Sequence, residues 1–122
     1  MVTIDDIRRA AVRIAGHVHR TPVLTCAAVD RLAGASLFFK CENFQKVGAF
    51  KARGATNAVL ELPATSTGVV THSSGNHGQA VAYAASLRDL PAWVIMPRTV
   101  PGSAPAIRNG LLSLSLSLSL SL

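Results

Sequence analysis

Between Phe50 and Met96 the chain switches repeatedly between two spacings, and that alternation limits its fold more than any other feature. A helical pattern runs from Lys51 to Leu62 and a strand-like run from Gly68 to Thr71. A second helical pattern covers Asn76 to Leu87, and a second strand covers Ala92 to Met96. Pro63, Pro91 and Pro97 fall between these elements, where a residue lacking an N–H does least harm. Strands separated by a helix pair in parallel, and their crossovers are right-handed. The expected fold is therefore α/β, a parallel sheet with flanking helices.

Upstream, Ile4, Ile7, Ala11 and Ile14 recur at three- and four-residue intervals. Thr3 is placed to cap, Asp6 lies in the first turn and Gly16 falls just past the end, so this segment reads as an amphipathic helix of about three turns. Thr21-Pro22 breaks it. A further helix is expected around Ala27 to Leu32, and Ser36 to Cys41 reads as a short, largely buried strand. Pro101 and Pro105 frame one more short helix. From Leu112 to Leu122 the chain alternates Leu and Ser without interruption, a low-complexity tail unlike anything before it. Extended, that tail would present one apolar face; a CT dinucleotide repeat also translates as such an alternation.

At 122 residues the chain has the length of one domain, and 49% hydrophobic against 15% charged residues is a globular composition. The net charge of +6 raises nucleic acid as a partner. However, Arg8, Arg9, Arg13, Arg20, Lys40, Lys46, Lys51 and Arg53 are spread out, and the whole chain has only one Trp and one Tyr, so no nucleic-acid footprint forms. Cys26 and Cys41 have no metal-ligand spacing and make no disulfide framework, and His17, His19 and His72 show no ligand spacing either, so no metal site is expected. Asp5, Asp6, Arg8 and Arg9 interrupt the first apolar pattern, which excludes a secretory h-region or a membrane span there; cytoplasmic residence is the expectation.

Two segments carry candidate chemistry. Lys51 stands in Gly48-Ala49-Phe50-Lys51-Ala52-Arg53-Gly54-Ala55, where a polar loop meets a helical pattern. A lysine there is either a solvated helix residue or an amine held in a cleft; carbonyl chemistry needs the neutral amine, which desolvation or nearby positive charge favours. Ser73-Ser74-Gly75-Asn76-His77-Gly78-Gln79 follows a strand and opens a helix. Its backbone N–H groups would form an anion site, and Gly75 and Gly78 would allow close approach; a plain N-cap on a crossover helix is the alternative.

The run from Cys41 to Ala55, Cys-Glu-Asn-Phe-Gln-Lys-Val-Gly-Ala-Phe-Lys-Ala-Arg-Gly-Ala, resembles the lysine signature of fold-type II pyridoxal-phosphate enzymes, in particular serine racemases and threonine dehydratases. Ala49 stands where the family commonly has Ser. His19-Arg20-Thr21-Pro22-Val23-Leu24-Thr25 resembles the family's entry segment, and the resemblance extends over about residues 4–108. It implies a tryptophan synthase beta-like fold and pyridoxal 5'-phosphate as cofactor, with Lys51 forming the internal aldimine and Asn76 bonding the ring hydroxyl. It further implies a substrate-carboxylate loop of Ser73, Ser74, Gly75, Asn76 and His77. Serine racemases carry Ser at the position of Ser74 as the acid/base opposite the lysine, whereas many threonine dehydratases carry Ala; a helix-capping hydroxyl is the other reading of Ser74.

The implied function is that of an ammonia-lyase, dehydratase or racemase acting on L-serine or L-threonine, and the implied partner is a small amino acid, with full-length relatives homo-oligomeric. By the same resemblance, residues 1–47 are a segment of the large domain, residues 48–110 most of the small domain, and residues 111–122 a tail. The family's Gly-rich phosphate loop and its residue facing the pyridine nitrogen fall far beyond these motifs. A catalytically inactive fragment is therefore the alternative, with uncovered apolar faces and a tendency to self-associate.

Overall fold

The structure, a computed structural model, describes residues 1–96. The short helix expected at Pro101 to Pro105 and the Leu-Ser tail lie outside the described residues. Helix α1 spans Ile4–Arg13 behind a complete capping box: the Asp6 N–H donates to Thr3 Oγ1 at 3.2 Å, and the Thr3 N–H donates to Asp6 Oδ2 at 2.7 Å. Gly16 follows in the left-handed region at φ +81°, as a chain leaving a helix needs. Of the expected apolar stripe only Ile14 is buried; Ile4 and Ile7 stay exposed. Polar contacts tie α1 to the body instead, through Arg13 to Asn57 and to Glu61 at 2.6 Å.

Strand β1, Val23–Leu24, pairs antiparallel with β2, Phe39–Lys40, in the register Val23↔Lys40 and Leu24↔Phe39. Between them α2 covers Ala27–Ala33 and closes at Gly34 in the left-handed conformation. The Ser36 to Cys41 expectation is corrected here: the strand is two residues long and exposed, not buried. Asp30 Oδ1 takes the Leu37 N–H at 2.9 Å, which removes Leu37 from the ladder. Nothing among the described residues covers Phe38 or Phe39, so both stay exposed. The Val23–Leu24 strand is an addition, too short to have shown a period.

The alternation that defined the fold class appears as α3 (Lys51–Leu60), β3 (Val69–His72), α4 (Asn76–Ser86) and β4 (Ala92–Ile95). β3 and β4 are parallel, paired from Val69↔Ala92 to His72↔Ile95. The ladder opens one residue later than expected. Gly68 lies so close beneath Trp93 that an added Cβ would come within 2.5 Å of Trp93 Cζ3, so only glycine lets the chain pass.

Helix α4 is buried on two sides because its side chains are small. Ala80, Val81 and Ala84 pack with Ala55 and Val59 of α3, while Ala82 and Ala85 pack with Ala92 beneath the sheet. The sheet is covered on one face only. Val69, Ala92 and Val94 point into the core, while Val70 is 66% and Trp93 43% exposed on the other face. Parallel sheets are ordinarily covered on both faces.

Past the end of α4, the Arg88 guanidinium donates to the carbonyls of Val59 and Leu62, both at 2.8 Å, and of Pro63 at 3.1 Å. This places a cation on the carbonyls at the end of α3, where the helix dipole favours it. It also fixes the C-terminal ends of α3 and α4 side by side. The two helices are 10 and 11 residues long and packed along their length, so their N-terminal ends also share one end of the domain.

Two substitutions test this packing by urea denaturation. Thr56 is fully buried in α3, and its hydroxyl has no hydrogen-bond partner among the described residues. Thr56→Val keeps the shape and removes an unsatisfied group, and is expected to raise stability by about 1 kcal/mol with an unchanged m-value. A loss would show that the hydroxyl has a partner. A Cβ on Gly78 would stand 2.8 Å from Val94 Cγ1, so Gly78→Ala is expected to cost about 1–3 kcal/mol by overpacking.

Candidate functional site

Lys51 is the first residue of α3, delivered by two short 3₁₀ turns, Glu42–Phe44 and Lys46–Gly48. Its side chain is exposed, with Nζ 5.1 Å from the centre of the Phe50 ring, inside cation–π range. It has no ion-pair partner among the described residues.

A network that the sequence did not disclose holds the loop before Lys51. Arg53 meets Glu42 with two parallel bonds, Nε to Oε2 at 2.9 Å and Nη2 to Oε1 at 2.7 Å. The same Nη2 reaches the His19 carbonyl at 3.1 Å and Thr21 Oγ1 at 3.3 Å. Thr21 Oγ1 in turn donates to Glu42 Oε1 at 2.5 Å, and Lys40 Nζ donates to the Thr21 carbonyl at 2.5 Å. Hydrogen bonding from Arg53 is the main reason that the Glu42 carboxyl is lowered to about 2; the Thr21 hydroxyl and the Lys40 charge act in the same direction, against burial. Glu42, Arg53 and Thr21 all lay inside the quoted motifs without a role. They are 11 and 21 residues apart along the chain, so no local period links them.

The second segment follows β3. The Ser73 N–H extends the ladder to the Ile95 carbonyl at 3.1 Å. Ser73 Oγ then accepts from the N–H groups of Gly75, at 3.2 Å, and Gly78, at 3.0 Å. Gly75 is the N-cap of α4 and has no side chain to offer; Ser73, two residues before it, takes the first-turn Gly78 N–H instead, and the capping alternative for Ser74 is set aside. The side chains of Ser74, Asn76 and His77 are exposed and make no hydrogen bond among the described residues. At Gly78 the lack of a side chain serves packing inside the fold, since an added Cβ would stand 2.8 Å from Val94 Cγ1. An added Cβ at Gly75 would meet nothing within 4 Å, so the loop faces open space there.

Lys51 and Asn76 are the first residues of two helices packed side by side with their C-terminal ends joined through Arg88. The structure thus brings the amine and the Ser73 to His77 loop to the same end of the α3–α4 pair. At that end Ser73 Oγ takes the Gly78 N–H, while the Asn76 and His77 N–H groups have no partner within the helix and carry partial positive charge. An exposed amine and a helix N-terminus therefore share one end of the α3–α4 pair.

The Glu42 pair sets an expectation in acid. A carboxyl with a depressed folded value contributes stability that is present above its unfolded value of 4.5 and is lost as pH falls through about 2. Denaturation of wild type and Glu42→Gln across this range should show a wild-type advantage on the order of 1–3 kcal/mol near neutrality, shrinking between pH 4.5 and 2. A difference that stays constant over this window would contradict the pairing.

The model of the family described as "Pyridoxal-phosphate dependent enzyme" matches residues 14–111. A serine racemase of Oryza sativa subsp. indica is 56% identical over 100 residues, covering 80% of this chain and 30% of that protein. A beta-hydroxyaspartate dehydratase of Paracoccus denitrificans is 54% identical over 101 residues, covering 81% and 32%. Among solved structures, a serine racemase from Dictyostelium discoideum superposes with a TM-score of 0.78 at 51% identity, covering 83% of this chain and 34% of that one. A threonine deaminase from T.th. gives a TM-score of 0.75 at 46% identity, covering 79% and 31%. The chain spans about a third of the length of the relatives it matches. With the family model covering most of its residues and its described part superposing on solved members, the chain belongs to the pyridoxal-phosphate dependent enzymes of the serine racemase and threonine deaminase kind.

Proposed function

We propose that this chain carries the cofactor lysine and the substrate-carboxylate loop of a pyridoxal-phosphate dependent racemase or dehydratase acting on L-serine or L-threonine. The observation that carries the reading is the convergence of Lys51 and the Ser73 to His77 loop at one end of the α3–α4 pair. The residues present fit the cofactor. Lys51 offers an exposed amine, Asn76 an exposed amide for the ring hydroxyl, and Gly75 leaves open space where a side chain would obstruct a ligand. Buried residues run from Ala49 to Val94 with only Ile14, Thr21 and Gln45 upstream, which supports dividing residues 1–47 from residues 48–110 as parts of two domains.

When bound, pyridoxal phosphate supplies a ring that takes up the electron pair left as a proton departs from the substrate Cα. Lys51 is the base for that proton, and the free backbone N–H groups of the Ser73 to His77 loop hold the substrate carboxylate. Ser73 keeps the loop in shape by accepting from the Gly75 and Gly78 N–H groups and leaves those of Asn76 and His77 free. From the face opposite Lys51 the Ser74 hydroxyl returns a proton to Cα, giving the other enantiomer. If the Cβ hydroxyl leaves instead, net elimination gives a 2-oxo acid and ammonia. No helix among the described residues is long and apolar enough to cross a membrane.

Incubation with pyridoxal phosphate, borohydride reduction and peptide mapping tests the reading: a pyridoxyl group is expected on Lys51, and folded protein with none there contradicts it. With L-serine as substrate, Ser74→Ala is expected to lower racemisation by about 100-fold or more while elimination continues. Equal loss of both reactions would remove the proton-returning role from Ser74.

A further inference from the structure

We propose that Gln45 and Val47 are positioning residues for Lys51, acting by holding the loop before it in a left-handed excursion that fixes where α3 begins. The proposal rests on the reading of Lys51 given above, but its geometry stands alone. Gln45 is only 4% exposed, and its uncharged side chain is spent entirely on backbone. Nε2 donates to the His19 carbonyl at 2.8 Å, and Oε1 accepts from the N–H groups of His19 at 2.8 Å and Lys46 at 2.9 Å. One side chain thereby pairs with the entry segment 26 residues away as a neighbouring strand would. Its own backbone is also engaged, with its N–H on the Glu42 carbonyl at 3.1 Å and its carbonyl accepting from Gly48 at 2.9 Å.

Val47 follows at φ 56° and ψ 19°, and Gly48 at φ +66°. Glycine adopts this region freely, but for a β-branched residue it is a true outlier, kept only where surrounding structure imposes it. Two constraints impose it here. Gln45 fixes the chain on one side of Val47. On the other, the Val47 side chain packs against the cluster of Ala55, Val59, Ala80, Val81 and Ala84, which belongs to α3 and α4 together. Glycine at this position would relax the backbone and lose that contact. Ala49 then extends at φ −152° into a buried position, and two residues later α3 starts with Lys51. The strained turn therefore registers Lys51 against α4, whose N-terminus carries the Ser73 to His77 loop.

Competitive acetylation of the 122-residue chain across pH measures Lys51 reactivity without cofactor, with the exposed N-terminal amine as internal reference. Gln45→Glu keeps the size and loses the donor to His19, Val47→Gly releases the turn, and Val47→Ala keeps the turn but shortens its anchor. Each is expected to shift the Lys51 profile by about threefold or more relative to the reference, and to slow borohydride-trapped pyridoxyl incorporation at Lys51 by about tenfold. Trp93 fluorescence reports that the fold is retained. If the Lys51 profile in all three folded variants matches wild type, the positioning role is wrong, whether or not Lys51 takes up pyridoxal phosphate. A wild-type chain that takes up none, while the variants still shift the profile, sinks the functional reading and leaves the positioning role supported.

Discussion

The close contact of α3 with α4 underlies everything else in this chain. Two helices can approach closely only if the facing side chains are small, and here they are mostly alanine: Ala55 on one helix, Ala80 and Ala84 on the other, with Val59 and Val81 filling the space between. Arg88 completes the arrangement by bonding three carbonyls at the end of α3, so the helices are fixed in rotation and in direction. Because they run the same way, two segments 25 residues apart in sequence, one beginning at Lys51 and the other at Asn76, emerge at one end of the domain. The candidate site follows from helix packing.

Charge and strain then refine what packing establishes. The Glu42–Arg53 pair is bidentate and tied to Thr21 and His19, so it joins the entry segment to the first turn of α3. Gln45 adds a second connection between the same segments, and Val47 turns the chain between them. A charged pair is sensitive to pH and a buried amide is not, so the two connections would fail under different conditions. The apolar surface elsewhere tells a complementary story: Val70 and Trp93 on the open sheet face, and Ile4, Ile7 and Val12 on α1, remain exposed within the described residues. The helix-facing side of the sheet is finished while its other side is not covered by anything described.

Much of this was legible in the sequence because it is local. Helix and strand periods located α3, α4, β3 and β4 to within a residue or two, and the capping pattern of Thr3 and Asp6 located the start of α1. The two motifs identified Lys51 and the Ser73 to His77 loop as candidates and gave their family. What sequence did not convey depends on contacts made across the chain. The Ser36 to Cys41 run has strand composition, yet Asp30 takes one of its N–H groups and leaves a two-residue strand. Ser73 rather than Ser74 bonds the N–H groups at the start of α4, a choice between adjacent serines that only the backbone path decides. The roles of Glu42, Arg53 and Gln45 arise from partners that no periodicity connects.

The central claim is that the shared end of α3 and α4 is where pyridoxal phosphate meets its lysine. A crystal structure of the chain grown with pyridoxal phosphate tests it most directly. The account predicts electron density continuous from Lys51 Nζ to the cofactor, with the cofactor ring within hydrogen-bond reach of Asn76. Density attached to Lys40 or Lys46 instead, or a cofactor bound away from the Ser73 to His77 loop, would contradict it.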